Sequence, residues 1–136
     1  MAKSVLLNSY IAINAGDLSA YCSKIELKAE CEDQDVTTFA SGGWNERLAG
    51  LRSFELGLGF KQDVAAAAID SIMFALLFTV VTFETRLSNA VVGTSNPKYT
   101  GSILIKEWTP INGSVGDVAE LDVTFPGSGA LVRATA

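Results

Sequence analysis

The 136-residue sequence contains no histidine. That absence excludes Ser-His-Asp and Cys-His nucleophilic catalysis, His-ligated zinc and imidazole acid–base chemistry. Cysteine is scarce as well, with only Cys22 and Cys31. On one extended segment these two would sit roughly 30 Å apart on opposite faces, out of disulfide reach. Free, packed thiols and a reducing compartment of assembly are therefore expected. Charge is sparse too, at 18% of residues, and the balance is acidic, with a net charge of −5. A chain short of Lys and Arg is ill suited to a sequence-independent grip on DNA or anionic lipid. The start, MAKSVLLNSYIAINAGD, lacks a long apolar core followed by a small-residue cleavage site, so no secretory signal is expected.

What the chain does have is apolar residues, 49% of the total. The length predicts one domain over residues 1–136 with a substantial core, and so apolar a composition points to surface hidden in an oligomer. The least polar stretch is VAAAAIDSIMFALLFTVVTF, residues 64–83. Asp70 inside a membrane span would cost about 2.5–3.5 kcal/mol, and Lys61 and Arg86 provide no flanking asymmetry, so no membrane span is expected. Ala65, Ile69, Ile72, Met73 and Leu76 instead fall at helical spacing behind Asp63, a good N-cap residue. A helix over about 63–77 is predicted, with a strand from Thr79, where β-branched residues begin to alternate. Ala66, Ala67, Asp70 and Phe74 lie away from the main stripe, making this helix a candidate for burial on two sides, the second covered either by the chain's own loops or by a neighbouring subunit.

Period-two patterning marks the strands. In 21–30, Tyr21, Ser23, Ile25, Leu27 and Ala29 share one face, with Cys22, Lys24, Glu26, Lys28 and Glu30 on the other. In 51–60, Arg52 heads a row of Phe54, Leu56, Leu58 and Phe60, opposite Ser53, Glu55, Gly57 and Gly59. Further strands are expected at 10–14, 102–108, 117–125 and 130–135. Residues 31–50 show no sustained period but carry Phe39, Trp44 and Leu48, so they read as a long projecting loop with anchor points for a partner. The predicted fold class is mainly β: an antiparallel β-sandwich or barrel with one flanking α-helix.

No catalytic, cofactor or metal constellation emerges. Glu120 and Asp122 share a strand face, but such pairs are ordinarily solvated. Glu32, Asp33 and Asp35 lack the spacing of a calcium loop, and the glycines follow no phosphate-loop pattern. Trp44 and Trp108 would be the platforms of a rival reading, a stand-alone β-sandwich module binding sugar or peptide.

Taken in order, NAGDLSAYCSKIELKAECEDQDVTTF, SGGWNERLAGL, FKQDVAAAAIDSIMFALL and NPKYTGSILIKEWTPINGSVGDVAELDVTFPGSG resemble the tail tube protein (major tail protein) of phages with long, non-contractile, siphovirus-type tails. The resemblance implies a structural virion protein rather than an enzyme, with no cofactor. It implies six copies to a ring, rings stacked into a tube, and sheets joined into a continuous barrel around a lumen. The implied partners are further copies of the chain, the tape-measure protein, tail terminator and tip proteins, and double-stranded DNA in passage. The implied location is the virion tail, after assembly in the host bacterial cytoplasm. On this resemblance the lumen candidates are Lys24, Glu26, Lys28, Glu30, Ser53 and Glu55, with the Glu120/Asp122 face also eligible. Candidates for contacts between subunits or rings are Asp35, Thr37, Phe39, Trp44, Arg47 and Leu48.

Overall fold

The computed structural model describes Lys3 and residues 5–136. Met1, Ala2 and Ser4, part of the start read for a secretory signal, lie outside the described residues. Among the described residues, eight strands and one α-helix follow in the order β1 (Tyr10–Ile13), β2 (Gly16–Asp17), β3 (Cys22–Asp35), β4 (Arg47–Lys61), α1 (Ile69–Leu76), β5 (Val80–Arg86), β6 (Lys98–Leu104), β7 (Glu120–Pro126) and β8 (Val132–Ala134). They form a five-stranded sheet, β2-β1-β5-β6-β8, and a three-stranded sheet, β3-β4-β7. Every pairing between named strands is antiparallel. No helix among the described residues is long and apolar enough to cross a membrane.

The core lies where the inner faces of the two sheets meet. Leu56, Leu58, Phe60, Leu121, Val123 and Phe125 from the smaller sheet cluster with Ile11, Ile13, Phe83 and Ile103 from the larger. On β7 the buried residues alternate with exposed ones, the pattern of a half-buried strand. Ile69 and Met73 bring α1 into the same cluster. The ring centroids of Phe54 and Phe83 stand 5.8 Å apart, and Gly127 lies so close that a Cβ there would collide with the Phe54 ring.

The helix is shorter than the sequence suggests. It begins at Ile69, with Ala68 as an N-cap that makes no side-chain cap bond. The Asp63 carboxylate accepts instead from the Ala65 amide at 3.0 Å, in a local turn. Ala67 then adopts φ 60°, which interrupts a right-handed helix. The alanine run favours helix only weakly, and the chain path from β4 to the core overrides it. Past the helix, the strand expected from Thr79 begins at Val80.

The projecting loop at 31–50 is a hairpin arm rather than irregular chain. β3 runs on to Asp35 and β4 begins at Arg47, paired in register as Asp35↔Arg47, Gln34↔Leu48 and Asp33↔Ala49. β7 pairs with β4 only as far as Glu55↔Pro126, so the outer arm is two-stranded and exposed on both faces. Apolar/polar alternation marks a strand only where one face is buried, hence the missing period.

A bulge alters the expected facing of β3. The register shifts between Cys22 and Lys24, and the Ser23 hydroxyl donates to the Gly59 carbonyl at 3.3 Å. Cys22, opposite Phe60, consequently joins Ile25, Leu27 and Ala29 on the inner face, and Ser23 leaves it. Cys31, opposite Arg52, shares that face further along, and both thiols are free. The strand expected at 102–108 lies instead at Lys98–Leu104, starting directly after Pro97, a residue suited to a strand's beginning.

Candidate functional site

Antiparallel partners that stand directly opposite share a face, so the strand register places each candidate. Lys24 pairs with Gly59, Glu26 with Gly57, Lys28 with Glu55, and Glu30 with Ser53. Gly59 pairs in turn with Asp122, Gly57 with Thr124, and Lys61 with Glu120. All six lumen candidates, together with Glu120 and Asp122, thus lie on one face of the three-stranded sheet, opposite the core.

This face is a shallow mosaic of charge. Lys28 Nζ lies 3.6 Å from Glu30 Oε2, and Lys61 pairs with Glu120. Exposed pairs of this kind contribute little to stability. Their consequence is the potential of the face, where Glu26, Glu30, Glu55, Glu120 and Asp122 outnumber Lys24, Lys28 and Lys61. Gly57 and Gly59 keep its middle low. A Cβ at Gly59 would lie 2.8 Å from Asp122 Oδ1 and 3.0 Å from Lys24 Cβ. The glycine therefore leaves room for its two charged neighbours.

The arm ends in an ordered tip. The Val36 amide donates to the Glu46 carbonyl at 3.0 Å, and the Glu46 amide donates to Thr37 Oγ1 at 2.8 Å. The Asp35 carboxylate accepts from the Thr37 amide at 2.9 Å, and hydrogen bonds from Thr37 hold its pKa below the ordinary value. Thr38 and Ser41 form a reciprocal capping box over a single 3-10 turn, Phe39–Ser41. Gly42 and Gly43, at φ 68° and 86°, then turn the chain back. Arg47 Nη1 meets Asp33 Oδ2 at 3.1 Å across the arm. This scaffold holds Phe39 at 109% exposure and Trp44 at 79%, with Leu48 also exposed. The turn thus holds three large apolar side chains out in water at the end of the arm.

The helix candidates divide. Ala66, Ala67 and Phe74 are exposed. The carboxylate of Asp70 is used within the subunit, accepting from Trp108 Nε1 at 3.0 Å and Gln62 Nε2 at 3.3 Å. Trp108 is buried, 5.8 Å centroid to centroid from Phe60. It is therefore not the open platform that the binding-module reading requires.

Sequence reasoning missed Phe78, which is 75% exposed and holds φ 70° just past α1. A bulky residue in left-handed backbone is uncommon, and no glycine or asparagine at this position signals the turn. Phe78, Phe74 and Val80 are exposed apolar residues at the end of α1 and the start of β5. Among the described residues, no group of three or more Cys, Asp or Glu could hold a metal ion.

A chain of the virion of a native gene transfer agent particle superposes with a TM-score of 0.73 at 21% identity, covering 93% of this chain and 95% of its own. The chain shares that virion chain's fold. A chain from the tail of an empty gene transfer agent particle, refined helically with C6 symmetry, matches with a TM-score of 0.65 at 23% identity. That match covers 85% of this chain and 83% of the tail chain. No protein-family model and no curated protein sequence matches the chain.

Proposed function

We propose that the whole chain is a tail tube subunit that forms six-membered rings and stacks them into the conduit of a phage-like tail. The observation that carries this reading is the near end-to-end match to a virion chain, joined by a second match to a C6-symmetric tail. The fold supplies what such a subunit needs. Its three-stranded sheet has one core face and one acidic, low-relief face. With that face turned inward, the wall repels phosphate and DNA slides without sticking.

In this reading the three-stranded sheets of neighbours join edge to edge around the lumen, which removes exposed sheet edges. The hairpin arm, through Phe39, Trp44 and Leu48, reaches a neighbouring subunit or ring. Ala66, Ala67, Phe74 and Phe78 meet the next copy within the ring. Stacking of rings is a head-to-tail contact and generates an open filament. The lumen holds a tape-measure protein during assembly and DNA afterwards, terminator and tip proteins close the ends, and the protein resides in the virion tail without enzymatic activity.

Negative-stain microscopy of the purified protein tests the reading. Rings or tubes are expected at high concentration or after seeding with preformed tail tips. A strict monomer under both conditions would contradict it.

A further inference from the structure

The outer edge of β7 is already occupied, though not by a strand. The Gln62 amide donates to the Ala119 carbonyl at 2.9 Å, in phase with the β4–β7 register. By alternation, the backbone groups of Glu120, Asp122 and Thr124 then point away from β4. Two of these outward groups are held by side chains from the segment after β6. The Thr124 amide donates to Glu107 Oε1 at 3.1 Å, and Asn112 Nδ2 donates to the Glu120 carbonyl at 3.3 Å. Glu107 thus lies by Thr124 and Asn112 by Glu120, so residues 107–112 run antiparallel along the edge as a strand would. Pro110 has no amide to add to a ladder, and its carbonyl is taken by Gln62 Nε2 at 2.7 Å.

We propose that residues 109–112, together with the Glu107 side chain, form a displaceable strap that masks the β7 edge, hinged at Trp108, which stays in the core on Asp70, and that β3 of a second copy replaces the strap when a ring closes. The inference rests on the tube reading above and names how that same interface is regulated. β3 is the fitting occupant because it forms the opposite edge of the same sheet and is 14 residues long. β3 and β7 are both antiparallel to β4, so they run in the same direction. Related by rotation around a ring axis, a neighbour's β3 would lie parallel to β7 and extend the sheet. An unmasked edge invites uncontrolled pairing; three exposed side-chain bonds, from Glu107, Asn112 and Gln62, blunt it yet yield to a backbone ladder. The device keeps free subunits apart until a growing tube offers a correctly placed β3.

Assembly kinetics and amide exchange test the strap. The variant Glu107→Ala/Asn112→Ala is expected to polymerise after a lag about five- to tenfold shorter than wild type, since two of the three latch bonds no longer oppose pairing. Glu107→Gln keeps an accepting oxygen and should retain the wild-type lag. In wild-type tubes, the Thr124 amide should exchange more slowly than in free subunits, and the amides of Ile111 and Asn112 faster. This second readout needs no variant, so it holds even if the double variant fails to fold. Tubes with an unchanged lag, or with the strap amides equally protected before and after assembly, overturn the strap and leave the tube reading intact. Absence of wild-type tubes, seeded or unseeded, removes the tube reading and the strap with it.

Discussion

Trp108 Nε1 donates to Asp70 Oδ1 at 3.0 Å, tying the first turn of α1 to the segment that leaves β6. The same oxygen also accepts from Gln62 Nε2 at 3.3 Å, so one carboxylate joins the ends of β4, α1 and β6. Replacing Asp70 with Ala leaves the indole N–H without its acceptor. We expect a loss of about 1–3 kcal/mol in unfolding free energy, read by urea titration of Trp108 fluorescence. Tube formation below the unfolding midpoint should be unaffected, which separates a strut within the subunit from a contact between subunits.

The packing of Phe54 gives a second prediction. A Cβ at Gly127 would run into the Phe54 ring, with Gly101 close on another side. Gly127→Ala should destabilise the fold by about 1–3 kcal/mol, the range for overpacked cores. Adding Phe54→Leu should recover part of that loss, as measured by thermal unfolding. Additive losses would show that the ring can move aside on its own.

The hairpin tip supplies a third. Deleting residues 36–46 removes Phe39 and Trp44 while leaving the β4–β7 ladder and the core cluster intact. The shortened chain should unfold with a near wild-type transition yet form no tubes by electron microscopy. Tubes from the deletion variant would show that the arm is not a connector.

Most of the sheet core was legible in the sequence because each inner strand has one buried face. Phe54, Leu56, Leu58 and Phe60 alternate with small or charged residues, and that period survives folding. The arm was not legible as strands, since exposure on both faces of Asp33–Asp35 and Arg47–Ala49 leaves no alternation to read. The start of α1 was misplaced because Asp63 has the chemistry of a cap but spends its carboxylate on Ala65. The candidate wall was readable residue by residue; that its three strands present one common face depends on register, which pairing alone reveals. The strap was invisible, because Glu107 and Asn112 act through single side-chain bonds to a strand edge.

Charge on the polar face carries a fourth prediction. Changing Glu26, Glu30 and Glu55 to Lys should leave tubes intact, because these side chains are not part of the core cluster. The variant tubes should retain DNA at low salt and release it as salt rises, measured by co-sedimentation, and particles carrying them should lose infectivity. Wild-type infectivity with no DNA retention would place this face elsewhere than the lumen.

The central claim is tested most directly by a helical reconstruction of tubes grown from the purified chain. The account predicts six copies per ring, with Lys24, Glu26, Lys28, Glu30, Ser53 and Glu55 lining the lumen and β3 of each copy paired to β7 of the next. A tube that turns this face outward, or that closes with a different number of copies, would contradict it.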